Sequence, residues 1–286
     1  MPELPEVHTT VEGLKKVIIG KTIKNIWSDF HINTAHGDRE TIKNKKYFEK
    51  FRKIVKDSKI KSLERMGKNI LINLNNDYTV IIHMKMTGNL MYGRHPNNKF
   101  IHLIFTLNNK QYLVLSDLRK FASVTIFKTK ELLKHETLGK LGPNPLDQKF
   151  TAQKLFEIMH SQKEVPIKSA LLNQTAIAGI GNIYSDEILW QTNIHPLSKS
   201  NKIPEKNFAE IFKAMQQILR FSIKHGGDSK SDYRNAFGEK GGFQNFHKVY
   251  GKKGQQCPKK NCSGIIERTV IRGRSAHFCP KHQLKY

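Results

Sequence analysis

The feature that most constrains the fold is a change of texture near the middle of the chain. Between Ile23 and Lys128 the apolar residues fall in short β-branched runs: Ile70 to Leu74, Thr79 to His83, His102 to Leu107, Gln111 to Leu115 and Val124 to Phe127. Asn75-Asn76-Asp77 and Asn108-Asn109 separate neighbouring runs in the manner of hairpin connections. Beyond Asp147 the period lengthens to that of helices. Thr151 can cap one helix through Met159, and Pro204 opens a longer one with Phe208, Ile211, Phe212, Met215, Ile218 and Leu219 on one face, stopped by Gly226-Gly227. Between them GIGNIYSDEILWQ reads as a turn feeding a further helix. Ahead of the strands, Val7, Val11, Leu14 and Ile18 keep helical spacing from Glu6 to Ile19, with Gly20 where that helix would end.

Strands first and helices afterwards define an α+β chain. The first half is expected to be an antiparallel sandwich or flattened barrel led by one amphipathic helix. The stretch LGKLGPNPLD, Leu138 to Asp147, collects glycine and proline without periodicity and reads as a linker. The expected organisation is therefore an N-terminal domain over residues 1–133, a linker over 134–149, a helical domain over 150–244 and a cysteine-bearing tail over 245–286. Seven glycines lie between Gly226 and Gly254 among Asp, Ser, Lys and Asn, a composition that suits a mobile loop. No internal repeat is visible.

The 286 residues carry 49 Lys and Arg against 24 Asp and Glu, a net charge of +25 spread along most of the chain, which points to a polyanionic partner. Membrane insertion is disfavoured, because no apolar run approaches the ~20 residues needed to cross a bilayer. The opening MPELPEVHTT has neither the basic nor the apolar region of a secretion signal. The three cysteines all fall within the last thirty residues, an odd and clustered set that fits a reducing, intracellular setting and a metal site better than a disulfide framework.

The tail can be read by counting. Four residues separate Cys257 from Cys262, sixteen intervene before Cys279, and two more before His282. Two close pairs across a hairpin-length spacer are the pattern of a structural zinc site, here of Cys3His type. Arg272 and Arg274 lie in the spacer, where a stapled hairpin would drive an arginine into a DNA groove. GIGNIY offers free backbone N–H groups at a helix start, with Asn182 beside them, suited to one phosphate. At the other end, the initiator residue is usually removed from a Met-Pro start, which would leave Pro2 a free secondary amine beside Glu3 and Glu6. An amine, an acid and a basic body suggest Schiff-base chemistry on a deoxyribose.

Over essentially its whole length the sequence resembles the formamidopyrimidine-DNA glycosylases. The motifs agree in order: MPELPEV, the lysine of RMGKNILINL, HMKMTGNL, SDLRKF, LGPNPL, GIGNIYSDEILW, GGFQNFHKVYGKKGQQC and the cysteine-rich tail. The resemblance implies a helix-two-turn-helix domain with a lesion-recognition loop after the sandwich, a zinc-finger hairpin at the end, and damaged double-stranded DNA held between two domains. It implies excision of oxidised purines, 8-oxoguanine and formamidopyrimidines, followed by β- and δ-elimination, by a monomer working on intracellular DNA in the cytoplasm or nucleoid. One structural Zn2+ and no catalytic cofactor are implied.

The resemblance also assigns residues. Pro2 would attack the anomeric carbon, Glu3 would assist ring opening as an acid, and Glu6 would support them. Lys68, grouped with these as catalytic, would hold phosphate with His83, Asn182 and Arg274. Met86, Arg119 and Phe121 would fill the gap left by the extruded nucleotide, Arg119 reading the orphaned cytosine, and Lys168 would lie near the damaged base. An apolar wedge and a cation at the vacancy suit a step that unstacks a base at a cost of a few kcal/mol.

Departures from the family pattern are local. The family usually places two residues between its first cysteines and ends on a fourth cysteine, whereas here the gap is four and the last ligand is His282. Leu118 stands where proline is common and His8 where an acid is common. Two rivals remain. The endonuclease VIII-like class removes oxidised pyrimidines by the same chemistry, but PELPE rather than PEGPE, the intact Arg119-Lys120-Phe121 segment and the long glycine-rich loop favour the purine enzyme. A non-catalytic zinc protein binding damaged DNA would not need Pro2, Glu3 and Lys68 together.

Overall fold

A computed structural model describes residues 1–31, 40–93 and 100–286. The chain divides into two compact units, one of residues 1–140 with 225–242, the other of residues 141–224 with 243–286.

The first unit opens with helix α1 (Leu4–Ile18), whose Leu4, Val7, Val11, Leu14 and Ile18 are all buried, the face that the apolar spacing requires. Two four-stranded antiparallel sheets follow. One runs in the order β1 (Ile23–Ser28), β6 (Ile101–Leu107), β7 (Tyr112–Asp117), β5 (Gly88–Gly93). The other runs β2 (Ile60–Met66), β3 (Asn69–Leu74), β4 (Tyr78–His83), β8 (Ser123–Lys128). Alternate residues of both sheets meet in one core. Ile70, Ile72 and Leu74 of β3 and Val80 and Ile82 of β4 share it with Leu103, Phe105 and Leu107 of β6, as a period of two demands of a sheet with one face buried. Ile70 lies opposite Ile82 and Ile72 opposite Val80, so the register is set by paired β-branched residues.

Helix α2 (Lys45–Val55) interrupts the strands, where β texture alone was expected. Five of its eleven residues are lysine or arginine, so its helical signal rests on Phe48, Phe51 and Val55, which are buried, and on Asn44, whose side chain accepts the Tyr47 N–H at 2.9 Å. β5 also escaped the sequence reading. It is bounded by glycines and holds few β-branched residues, and its pairing to β7 supplies what propensity does not.

In the second unit, Thr151 caps α3 (Ala152–Ser161) by accepting the Lys154 N–H at 3.1 Å. α4 (Ile167–Leu172), α5 (Asn182–Gln191) and the 20-residue α6 (Glu205–Lys224) complete the helices. Phe208, Ile211, Met215, Ile218 and Leu219 of α6 are buried, and the helix packs on α3 and α5. Gly142 and Pro143 do more than connect. The Gly142 N–H donates to Gln174 O at 2.9 Å and Pro143 O accepts from the Ala178 N–H at 3.0 Å. The unit ends in a hairpin of β9 (Glu267–Ile271) and β10 (Arg274–Phe278), whose turn residues Arg272 and Gly273 both have positive φ, 46° and 75°, as the tightest hairpin connection requires. No helix among the described residues is long and apolar enough to cross a membrane.

Candidate functional site

The chain's first residues are packed rather than frayed. Pro2 is buried, and Glu3 and Glu6 are 2% and 1% exposed. Glu3 caps α1, and the Glu6 carboxylate reaches back to accept the Glu3 N–H at 2.7 Å, the return half of a capping box. The other Glu6 oxygen accepts the Asp228 N–H at 2.7 Å, and Tyr233 donates its hydroxyl to Glu6 O at 2.9 Å. The glycine-rich segment, expected to be mobile, thus carries its own fixed points on α1.

Lys68 and His83 come together through strand pairing. β2 and β3 are joined by Gly67 and Lys68, with Gly67 at φ 59°, the glycine-first arrangement of a two-residue hairpin. Lys68 is 6% exposed, and the next residue, Asn69, lies directly opposite His83. The His83 imidazole accepts the Lys85 N–H on Nδ1 at 3.0 Å. Burial, helped by the charges of Lys85 and Lys68, holds its pKa down at about 3. The ring is therefore neutral, with its proton on Nε2 as a donor.

Met86, Arg119 and Phe121 are organised by a residue that sequence reasoning missed. Asp117, at the end of β7, is 0% exposed. One of its oxygens accepts from the Thr87 hydroxyl and from the Arg119 N–H at 3.2 Å, and the other accepts the Ala122 N–H at 2.6 Å. One carboxylate thereby holds the turn that carries Met86 and the loop that carries Arg119 and Phe121, each bond to a charged acceptor being worth about 1.5–3 kcal/mol. Met86 and Phe121 are 38% and 42% exposed, not core residues, and the Arg119 guanidinium lies 4.3 Å from the centre of the Phe121 ring. Gly88 is needed here, since a Cβ on it would stand 2.4 Å from Met84 O.

In the second unit Asn182 begins α5 and donates from Nδ2 to Ser275 Oγ of β10 at 3.1 Å, while Arg274, one residue before Ser275, is exposed at the hairpin turn. Two acidic residues of α5, also missed, fix this arrangement. Asp186, 1% exposed, ion-pairs with the Lys168 ammonium through one oxygen and accepts both the His277 N–H and its ring Nδ1 at 3.0 Å through the other. Glu187 accepts three successive backbone N–H groups, Lys248, Val249 and Tyr250, at 2.8, 3.0 and 2.8 Å. Lys168 is fully buried, so the structure gives it a partner inside the unit rather than a place at its surface. The signal for both acids was their position, adjacent carboxylates in a strongly basic chain on a helix buried from Tyr184 to Trp190.

The tail residues converge. One ligand atom from each of Cys257, Cys262, Cys279 and His282 lies within 4.8 Å of the others. Cys262 Sγ is 3.6 Å from Cys279 Sγ and 3.7 Å from His282 Nδ1, and Cys257 Sγ is 3.5 Å from the same nitrogen. Tetrahedral Zn–S bonds of ≈ 2.3 Å place sulfurs about 3.8 Å apart. The surroundings suit a metal too. His282 Nε2 lies 3.4 Å from Trp190 O, which leaves Nδ1 free of its proton, and the Trp190 indole N–H donates to Cys257 Sγ at 3.4 Å. A Cβ on Gly264 would sit 2.5 Å from Cys279 Sγ. The four-residue gap between the first cysteines and the terminal histidine therefore still close a four-ligand cluster able to hold a metal ion.

Comparison with known proteins agrees with this geometry. The model of the formamidopyrimidine-DNA glycosylase N-terminal domain matches residues 1–124, and that of the H2TH domain of the same enzymes matches residues 141–234. Formamidopyrimidine-DNA glycosylase of Streptococcus pneumoniae is 37% identical over 285 residues, 99% of each chain, and that of Bacillus subtilis is 36% identical over the full length of both. Among solved structures, Lactococcus lactis Fpg in complex with DNA containing an abasic site has a TM-score of 0.87 at 32% identity, covering 99% of this chain and all of that one. The same enzyme with DNA containing an oxidised pyrimidine gives 0.86 at equal identity and coverage. The chain belongs to the formamidopyrimidine-DNA glycosylase family.

The environment of His83 sets a pH dependence. The native ring stays neutral down to about pH 3, whereas the unfolded ring takes up a proton near its ordinary value of 6.5. Below pH 6.5 the unfolded state binds more protons, so this group's contribution to stability is complete above that pH and is lost as pH falls toward 3. Between pH 7 and pH 5 the melting temperature of the wild type should drop further than that of His83→Asn. Equal drops in thermal melts of the two proteins would contradict the assignment.

Proposed function

We propose that this chain is a bifunctional DNA glycosylase and AP lyase that removes oxidised purines through an imine on Pro2. The observation that carries the reading is the burial of Pro2, Glu3 and Glu6 at the chain's beginning. First residues ordinarily fray, and a protein that only binds DNA has no use for a buried terminus. An α-amino group titrates near ~7.7–8.0 and a lysine near ~10.4, so at neutral pH the terminus offers far more free base.

With Met1 removed, the Pro2 nitrogen attacks C1′. The glycosidic C–N bond breaks, the base leaves with its electron pair, and it takes up the proton that the attacking nitrogen gives up. Glu3 protonates the ring oxygen as the C1′–O bond opens, and the nitrogen lone pair completes an iminium that keeps its charge, having no N–H to lose. Loss of a C2′ proton expels the 3′ phosphate, a second elimination expels the 5′ phosphate, and water frees the enzyme. Lys68, Asn182, Arg274 and the Nε2–H of neutral His83 hold the phosphates. Met86 and Phe121 fill the vacated stack, and Arg119, braced on Phe121, pairs with the orphaned cytosine. Lys168 serves through Asp186, keeping α5 and the hairpin in register near the damaged nucleotide.

A second reading, preference for oxidised pyrimidines, draws on the Lactococcus lactis enzyme having been caught with such DNA. Single-turnover excision from duplexes with one defined lesion separates the two. 8-Oxoguanine opposite cytosine and formamidopyrimidines should leave faster than thymine glycol. A preference for thymine glycol would move the chain to the pyrimidine-specific class.

We take the metal of the tail to be one structural Zn2+, because three thiolates and an imidazole at these separations are zinc's preferred set. When bound it braces the hairpin that carries Arg274 and supplies no chemistry to the sugar. The purified protein should contain one zinc per chain by elemental analysis, and His282→Ala should lose it. Full zinc in that variant would reject the fourth ligand.

A further inference from the structure

Residues 225–242 leave the end of α6, run along α1 and β5, and return. Three positions of α1 on one face receive them. At the first, Gly227 (φ 84°) lies flat on Glu6. A Cβ there would stand 3.0 Å from Glu6 Oε1 and 3.1 Å from its Cγ, and the next residue's N–H donates to Oε1. At the second, the buried Tyr233 hydroxyl bridges Glu6 O and the Thr10 hydroxyl at 2.9 and 3.2 Å. At the third, Ala236 enters the core against Gly13, whose added Cβ would meet Ala236 Cβ at 2.9 Å. β5 fixes the same stretch, Asn89 accepting the Arg234 N–H at 2.7 Å and the Tyr92 N–H donating to Ala236 O at 2.8 Å. The neck closes on itself. Gly241 approaches so near that a Cβ would be 2.2 Å from Gly227 O, and its N–H donates to Ser229 Oγ at 2.8 Å.

We propose that this segment is a strap that sets the orientation of Pro2, with Gly227 and Tyr233 as its positioning residues. The link is the Glu6 carboxylate, which accepts the strap's Asp228 N–H on one oxygen and the Glu3 N–H on the other. The Glu3 N–H lies in the peptide plane that also contains the carbonyl and Cα of Pro2. A buried carboxylate deprived of one donor must find another or turn toward water. Undocking the strap therefore frees Glu6, then the Glu3 peptide, then the Pro2 ring. Residues 6, 10 and 13 of α1 record this in the sequence, as a carboxylate, a small hydroxyl and a glycine at helical spacing on the side that the strap covers.

The inference rests on Pro2 being the nucleophile, and its test separates the two. In the full-length protein, Gly227→Ala pushes a methyl into Glu6, and the milder Tyr233→Phe removes two hydrogen bonds while keeping the ring. Borohydride trapping on a duplex with a preformed abasic site, in single turnover at saturating protein, should slow by roughly 10- to 100-fold, the scale of a misplacement near 1 Å. Affinity for a duplex with the unreactive tetrahydrofuran analogue should stay at the wild-type value, and exchange of the Glu3 amide proton should quicken. Wild-type trapping rates in both variants would overturn the proposal. If the wild type itself forms no imine, the proposed function fails on its own, and the Glu3 amide decides the strap: faster exchange in the variants supports it, unchanged exchange overturns it.

Discussion

The carboxylate of Glu6 accepts the N–H of Glu3 and that of Asp228, the latter 222 residues further along the chain, and only 1% of Glu6 is exposed. Taking such a charge out of water is costly unless hydrogen bonds replace the solvent. The Glu3 and Asp228 N–H groups are two of the groups that replace it. The glycine-rich segment covers the first turn of helix α1, and it has few apolar residues of its own with which to hold a shape. The first turn of α1 and its glycine-rich cover are one construction.

The same device recurs beside the other candidate site residues. Asp117 gathers Thr87, Arg119 and Ala122; Asp186 gathers Lys168 and His277; Glu187 gathers three consecutive N–H groups. In a chain of net charge +25 these acids work inside as acceptors for backbone and side chain. The cations Arg119 and Arg274 stand exposed near them. Removing one partner of a buried pair such as Lys168 and Asp186 leaves an uncompensated charge at a cost of about 3–5 kcal/mol. Within each unit an exposed arginine thus sits on a framework held by buried negative charges.

How much of this could be read beforehand depended on whether the signal was local. The apolar stripes of α1 and α6, the Thr151 cap and the Cys257–Cys262–Cys279–His282 count are periodic or countable, and they appear in the fold as the pattern implies. α2 hid because its three buried residues, Phe48, Phe51 and Val55, lie in a lysine-rich stretch that resembles a solvated face. The resemblance alone puts Lys168 near a damaged base, and its ion pair with Asp186, eighteen residues along, follows from no spacing rule. The glycine-rich segment looked mobile because composition reports the freedom of the chain but not the N–H acceptors that wait for it on Glu6, Asn89 and Ser229. Tertiary hydrogen bonds to buried carboxylates have no sequence period, and they are what organises the candidate residues within each unit.

The central claim is that the chain's own second residue becomes the nucleophile. The most direct measurement is to reduce the protein with borohydride on a duplex containing an abasic site, digest the adduct and locate the sugar by mass spectrometry. The account predicts a peptide beginning at Pro2 with the deoxyribose remnant on its nitrogen, and no adduct when Met1 is retained. An adduct on Lys68, or one formed undiminished with the N-terminus blocked, would contradict it.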